Sequence, residues 1–469
     1  MSDTIAAIAT GGGVSAIGIV RVSGLNAIEI ADKVFRIAGG GQLIDAEARR
    51  MHYGELHDNP TCPQNDSSGT LIDMCLCVIS RGIHSYTGED SVEFHCHGSP
   101  IVLSQALRAL FEQGARQALP GEFTKRAFLN GRMDLTQAEA VIDLIEAETP
   151  LAAQNAVKQL RGAVSVQLES IYAELINIMA HFHAVLDYPD EDIDEFKLQN
   201  YLSTLQNAET KLTQLIASHE RGRIMRDGVQ TAIIGKPNTG KSSLLNALLG
   251  YDRAIVTNIA GTTRDTVEEK VLIGNVLLRL IDTAGLRHTD EAVEKLGVER
   301  TLSAIQNAQL ILYVIDGSEK LNSDEFDVLN SAPFDVPKII LVNKIDLPRA
   351  VSNVQCTMYN VQLRKYSYLR VSALTGEGID SLESQIKKLF PEPSANSVGE
   401  IITNTRQYEA INRAKSAISE TIAAISASLT PDVVLTEIEL ALSAIGEVTG
   451  KSMREDIISR IFERFCVGK

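Results

Sequence analysis

The chain has 469 residues, 44% of them hydrophobic, which is enough for two or three domains each with its own core. A formal net charge of −16 argues against wrapping nucleic acid over a broad surface, because phosphate contacts need clustered lysine and arginine, so any RNA contact must be local or shared. No stretch is long and apolar enough to span a bilayer, Met1 to Gly13 has no basic residue ahead of an apolar run, and six cysteines show no framework spacing; a cytoplasmic protein with reduced thiols and no membrane partner is expected.

Residues 1–119 mix strand-like runs, Ala16 to Val22 and Ser91 to Phe94, with helices such as Val102 to Gln113, the texture of an α+β domain. Cys75, Cys77, His95, Cys96 and His97 invite a metal reading, since alternate positions of a strand share one face. That reading is rejected: both segments are apolar strands in which small cysteines serve as core residues. Residues 120–225 turn helical. Thr136 with Glu139 spells a capping box, and Ala138, Val141, Ile142 and Ile145 form one apolar stripe. Arg221, Arg223 and Arg226 read as a solvated face.

Residues 226–391 hold the most informative motif. Val229 to Ile234 is a buried strand, Gly235-Lys236-Pro237-Asn238-Thr239-Gly240-Lys241-Ser242 a phosphate-binding loop, and Ser243 to Leu249 a helix. Glycines let backbone N–H groups wrap phosphates, lysine neutralises the outer ones, and the serine hydroxyl holds magnesium. Four further signals follow, each ending an apolar run: Asp282-Thr283-Ala284-Gly285, Asp316-Gly317, Asn343-Lys344-Ile345-Asp346 and Ser372-Ala373-Leu374. The runs Leu277 to Ile281, Leu310 to Ile315, Lys338 to Val342 and Tyr368 to Val371 alternate with helical stretches, as a mainly parallel sheet requires, with ligands at the carboxyl ends. Asp346 can accept from N1 and the amine of guanine, which adenine cannot offer; Asn343 and Lys344 brace the loop and pack on the base. Asp282 is placed to hold magnesium through water, and Gly285 to approach the γ-phosphate. The expected ligand is GTP.

Leu286 stands where Ras-like GTPases place a water-orienting glutamine. Another group must position water, and the transition-state charge needs a substitute for an arginine finger. Candidates lie in two segments, Thr257 to Asp265 and Leu286 to Gly297, the second carrying Arg287, Glu291 and Glu294.

Residues 392–469 are helical again, so the GTPase domain interrupts a helical domain whose two parts pack together. Ser452 and Glu455 suggest a second capping box, and Ile458, Ile461, Phe462 and Phe465 share one face, so the last helix should dock firmly. Cys466 follows it, with Arg464 or Lys469 available to lower its thiol pKa.

Together these residues resemble the tRNA modification GTPase family MnmE, also called TrmE. The likeness spans essentially the whole chain: Tyr86-Thr87-Gly88-Glu89-Asp90, His97-Gly98, Pro120 to Gly131, Gln137-Ala138-Glu139-Ala140, Asp187 to Glu191, and the terminal Phe465-Cys466-Val467-Gly468-Lys469. Ser99 stands where a second glycine is common in the family. The resemblance implies an α+β N-terminal domain, a helical bundle and an inserted Ras-like α/β P-loop GTPase domain.

It also implies chemistry. Potassium replaces the arginine finger, held by Asn238, Thr257, Ile259 and Thr262; Ser242 and Thr263 ligate magnesium; Glu294 organises the attacking water. Nucleotide contacts extend over Asn238 to Ser243, over Thr257, Asn258, Ile259, Ala260, Gly261, Thr262 and Thr263, over Asp282, Thr283, Ala284 and Gly285, and over Asn343, Lys344, Asp346, Ser372 and Ala373. A tetrahydrofolate derivative, in the 5-formyl or 5,10-methylene form, is expected on Arg21, Glu93, Arg132 and Lys469, with Arg132 replacing a lysine of some relatives. Catalysis is expected from Glu294, Cys466 and Arg287. The implied assembly is a homodimer that forms a heterotetramer with a flavin-dependent partner of the MnmG or GidA type. Its product is a 5-aminomethyl or 5-carboxymethylaminomethyl group on the wobble uridine of tRNA. Two other readings stay open: a GTP-dependent binding switch on a ribosomal or membrane partner, without modification chemistry, and a folate-responsive regulator that has lost the enzymatic step. Cys466 and the folate residues discriminate among them.

Overall fold

The computed structural model describes residues 3–58, 69–187, 195–250, 269–281, 305–319, 333, 336–347, 367–391, 400–463 and 465–468. It forms two compact units. One comprises residues 1–142, 159–209 and 410–469, and the other residues 143–158 and 210–409. Among the described residues no helix is long and apolar enough to cross a membrane.

The first unit contains a seven-stranded sheet: β1 (Ile5–Ile8), β2 (Ser15–Ser23), β3 (Phe35–Ile37), β4 (Met51–His57), β5 (Leu71–Ser80), β6 (Ser91–Gly98) and β7 (Arg116–Gln117), in the order β3-β4-β5-β6-β2-β1-β7. β1 and β7 run parallel and the other neighbours antiparallel. The alternation of β5 sends Cys75, Cys77 and Ile79 inward, where with Cys96 and Phe94 they meet residues of α1 (Ala27–Val34) and α2 (Pro100–Glu112) in one apolar core. Burial pushes the Cys77 thiol pKa up, away from the reactive thiolate. Five charges stitch the start of the chain to α3 (Glu122–Leu129): Arg116 pairs with Asp3 and, at 2.6 Å, with Glu122, while Arg126 reaches Glu89 at 2.9 Å and Glu122 at 3.0 Å.

α4 (Leu135–Ile145) starts with a capping box other than the expected one. Asp134 accepts from the backbone N–H of Gln137 at 2.9 Å, and Gln137 Oε1 accepts from that of Asp134 at 3.0 Å. Thr136, two residues past the capping Asp134, is buried and meets the Ser165 hydroxyl at 2.6 Å. Ala138, Val141 and Ile142 are buried as expected, but Ile145, at the helix end, is 47% exposed. α5 (Pro150–Leu160), α6 (Ala163–Asp187) and α7 (Glu195–Asp227) follow.

The second sheet contains β8 (Val229–Ile234), β9 (Glu269–Ile273), β10 (Val276–Ile281), β11 (Leu310–Asp316), β12 (Lys338–Asn343) and β13 (Ser367–Arg370), in the order β13-β12-β11-β8-β10-β9. All neighbours are parallel except the β9–β10 hairpin. Near-continuous burial of β8, β11 and β12 reflects coverage on both faces: α8 (Lys241–Gly250) and α9 (Ile379–Leu389) pack on one, and Ile305 and Ala308 on the other.

The remaining helices are α10 (Thr405–Ser426), α11 (Pro431–Thr449) and α12 (Glu455–Phe462). α12 has Arg454 at its N-cap without a side-chain cap, and Ser452, assigned above to a capping box, donates instead to the Ser443 carbonyl at 3.0 Å. Gly450, at φ 88°, ends α11 in the left-handed conformation, and the turn that follows presents Ser452 to that helix rather than to α12. The expected docking of α12 is present: Ile458, Phe462 and Phe465 join Leu135, Ala138 and Ile142 in one apolar cluster.

Candidate functional site

In the second unit the loop after β8 is a phosphate cradle built by close approach. A Cβ on Gly235 would lie 2.2 Å from the Val314 carbonyl oxygen, and one on Gly240, where φ is 94°, 2.2 Å from Asn343 Nδ2. Only glycine fits these positions. Asn238 adopts φ 61°, which turns the exposed loop tip. Lys241 Nζ donates to the carbonyls of Gly235 at 2.9 Å and Lys236 at 2.7 Å, so the ammonium is held over the loop that cradles the phosphates. Burial lowers its pKa. Ser242 and Ser243 are exposed in the first turn of α8, where orphan N–H groups and the helix dipole favour an anion.

Asn343, at the end of β12 and 2% exposed, ties the phosphate side to the base side. Its Nδ2 donates to the Thr239 carbonyl at 2.9 Å, and its Oδ1 accepts from the Ala373 N–H at 2.9 Å. Lys344, at φ 64°, reaches Asp316 Oδ2 at 2.5 Å. Burial acts to raise the Asp316 pKa, but Lys344 and the hydroxyl and N–H of Ser318 outweigh it and hold the carboxyl below its usual range. The Ser372 hydroxyl donates to Asp346 Oδ1 at 2.6 Å, fixing the orientation of an exposed carboxylate at the carboxyl end of the sheet. Asp316, known from the sequence only as the end of an apolar run, is thus the partner that orients Lys344.

The first unit holds a separate cavity of about 200 Å³, lined by Arg21, Ser80, Ser85, Tyr86, Thr87, Glu93 and neighbours. Arg21 and Glu93 are directly opposed on β2 and β6, with Nε 2.7 Å from Oε1. The Arg21 guanidinium lies 5.6 Å from the ring centroids of both Tyr86 and Phe123. Its Nη1 donates to the Gly468 carbonyl at 3.3 Å, so the tail bearing Cys466 is bound to this site. Gly468, at φ 96°, packs so closely on β1 that a Cβ would lie 2.3 Å from the Ile8 carbonyl oxygen. The Gly121 N–H bonds to the Cys466 carbonyl at 3.2 Å, and the Cys466 side chain is exposed. Arg132 is exposed and outside the lining, its Cγ 3.2 Å from a Cβ built on Gly88. Tyr86, Phe123 and Gly468 are the residues that sequence reasoning did not assign here. Position in strand alternation gives no hint of them.

Arg287, Glu291 and Glu294, the stretch Thr257 to Thr263, Asp282 to Gly285, and Lys469 lie outside the described residues.

Two family models match the chain: one described as the MnmE helical domain over residues 135–466, and one described as the GTP-binding protein TrmE N-terminus over residues 4–132. The tRNA modification GTPase MnmE of Thermoanaerobacter pseudethanolicus is 42% identical over 472 residues, covering 100% of this chain and 99% of that protein. The protein of the same name in Enterococcus faecalis is 41% identical, covering 100% and 98%. That of Clostridioides difficile is 38% identical, covering all of both chains, 100% and 100%.

Proposed function

This chain belongs to the tRNA modification GTPase MnmE family, and from that premise we propose that it couples potassium-dependent GTP hydrolysis to tRNA wobble uridine chemistry, drawing a one-carbon unit from a tetrahydrofolate derivative. That it is a GTP hydrolase follows from the family itself. The product is the 5-aminomethyl or 5-carboxymethylaminomethyl group, formed by a homodimer together with a flavin-dependent partner in the cytoplasm.

The observation that carries the proposal is the Arg21 guanidinium, which joins Glu93 and the Gly468 carbonyl of the cysteine-bearing tail at one cavity. The lining fits a folate: a tyrosine ring, several hydroxyls, a carboxylate for an amino edge and a guanidinium for an anionic group. When bound, the folate supplies the carbon. Tyr86 and Phe123 flank Arg21, Glu93 orients it, and the Gly121 and Arg21 contacts hold the tail so that Cys466 stays beside the cavity-bearing domain. In the nucleotide site, Lys241 and the first turn of α8 receive the phosphates, the exposed Ser242 hydroxyl suits magnesium, and the exposed Asn238 amide suits potassium. Asp346, oriented by Ser372, selects guanine.

GTP turnover in potassium and in sodium, at several protein concentrations, tests the hydrolytic half. A rate that rises with both potassium and concentration is expected. A slow rate indifferent to both contradicts the proposal and favours a switch that awaits an external activator.

A further inference from the structure

Residues 143–158 belong to the same compact unit as the nucleotide site. They are anchored there at three points. Asp143 accepts from Thr403 Oγ1 at 2.7 Å and pairs with Arg226 at 3.3 Å; Asn155 Nδ2 donates to the Ile401 carbonyl at 3.2 Å. Between them Glu148 stands immediately before Thr149, whose hydroxyl accepts from the Ala152 N–H at 3.1 Å and caps α5. Glu148 Oε1 accepts from Lys270 Nζ at 2.8 Å and Arg279 Nη2 at 3.3 Å.

Those two cations face each other across the β9–β10 hairpin. Like charges directly opposed in a ladder push the strands apart, and one half-buried carboxylate bound to both reverses the sign of that interaction. The hairpin is the edge of the sheet, joined to it through β10 alone. Lys270 is the second residue of β9, just after residues 251–268, and Arg279 stands three residues before Asp282. In sequence, the pinned point therefore stands beside both segments associated above with hydrolysis.

We propose that Glu148 is a positioning residue for GTP hydrolysis, acting through Lys270 and Arg279 to set where the β9–β10 hairpin delivers the residues that flank it. Its effect falls on the hydrolytic step rather than on nucleotide affinity, because the base and phosphate-loop contacts of Asn343, Asp346 and Lys241 arise from other strands.

The test measures GTP turnover and GDP affinity in the full chain carrying Glu148→Gln, a near-isosteric change. The expected result is a kcat roughly three- to tenfold lower with KM and the Kd for GDP within about twofold of the parent. A charge exchange, Glu148→Lys with Lys270→Glu, should recover turnover relative to Glu148→Lys alone. Turnover by Glu148→Gln within twofold of the parent, a parallel loss of GDP affinity, or an exchange that recovers nothing would each overturn the assignment.

Discussion

The nucleotide cradle and the Arg21 cavity of this protein are built on opposite plans. The nucleotide cradle draws its parts from the carboxyl ends of neighbouring parallel strands, and its phosphate grip from one unbroken stretch, Gly235 to Ser242. The Arg21 cavity joins antiparallel strands to a tail 447 residues away in sequence. The phosphate grip needs only its own loop and the Asn343 brace, whereas a site closed by a distant tail depends on whatever docks that tail.

The largest expected effect breaks the first region alone. Gly240→Ala would drive a Cβ to 2.2 Å from Asn343 Nδ2 at a backbone φ of 94°. GTP affinity measured by calorimetry should fall on the order of a hundredfold or more, by analogy with loss of an obligatory close approach. Asn343→Ala is next: it leaves the Thr239 carbonyl and the Ala373 N–H without their shared partner, at about 1–3 kcal/mol each, and should weaken GTP roughly ten- to a hundredfold. Neither should alter hydrogen exchange in β1, β2 or α3.

The second region is sharpened through its anchor. Phe462 is 1% exposed and meets Phe128 and Phe465. Phe462→Ala should cost about 3–5 kcal/mol, speed hydrogen exchange in α4 and α12, and leave GTP affinity unchanged. The smallest effect is acidic. Burial tends to raise the Glu122 pKa, yet Arg116, the Leu119 N–H and Arg126 outweigh it and hold the carboxyl below its ordinary value of 4.5. A depressed carboxylate stabilises the fold fully above that ordinary value, and the contribution is lost as pH falls through the lower folded one. Stability of the first unit should therefore decline below about pH 4.5, and Glu122→Gln should flatten that decline in a pH series of thermal melts.

The same contrast explains what was legible in the sequence. β8, the phosphate loop and the guanine signals were readable because each is short, contiguous and set at a strand end, and Asn343 donates to the Thr239 carbonyl of that loop. The docking of α12 was readable from Ile458, Phe462 and Phe465. Capping was not: Thr136 and Glu139 have the right spacing, but Asp134 and Gln137 have it too, and only packing of Thr136 against Ser165 decides between them. Arg21 and Glu93 gave no sign of being opposed, because register between β2 and β6 is a property of the sheet. The same holds for Glu148, whose partners lie 122 and 131 residues away.

The most direct test of the proposed function pairs two readouts on Arg21→Ala, in the full chain with tRNA and the proposed flavin-dependent partner: GTP turnover, and wobble uridine modification by nucleoside mass spectrometry. The account predicts turnover within about twofold of the parent and modification reduced at least roughly tenfold, because the guanidinium belongs to the cavity and not to the nucleotide site. Modification at the parental level would contradict the assignment of that cavity to the carbon-transfer half of the reaction.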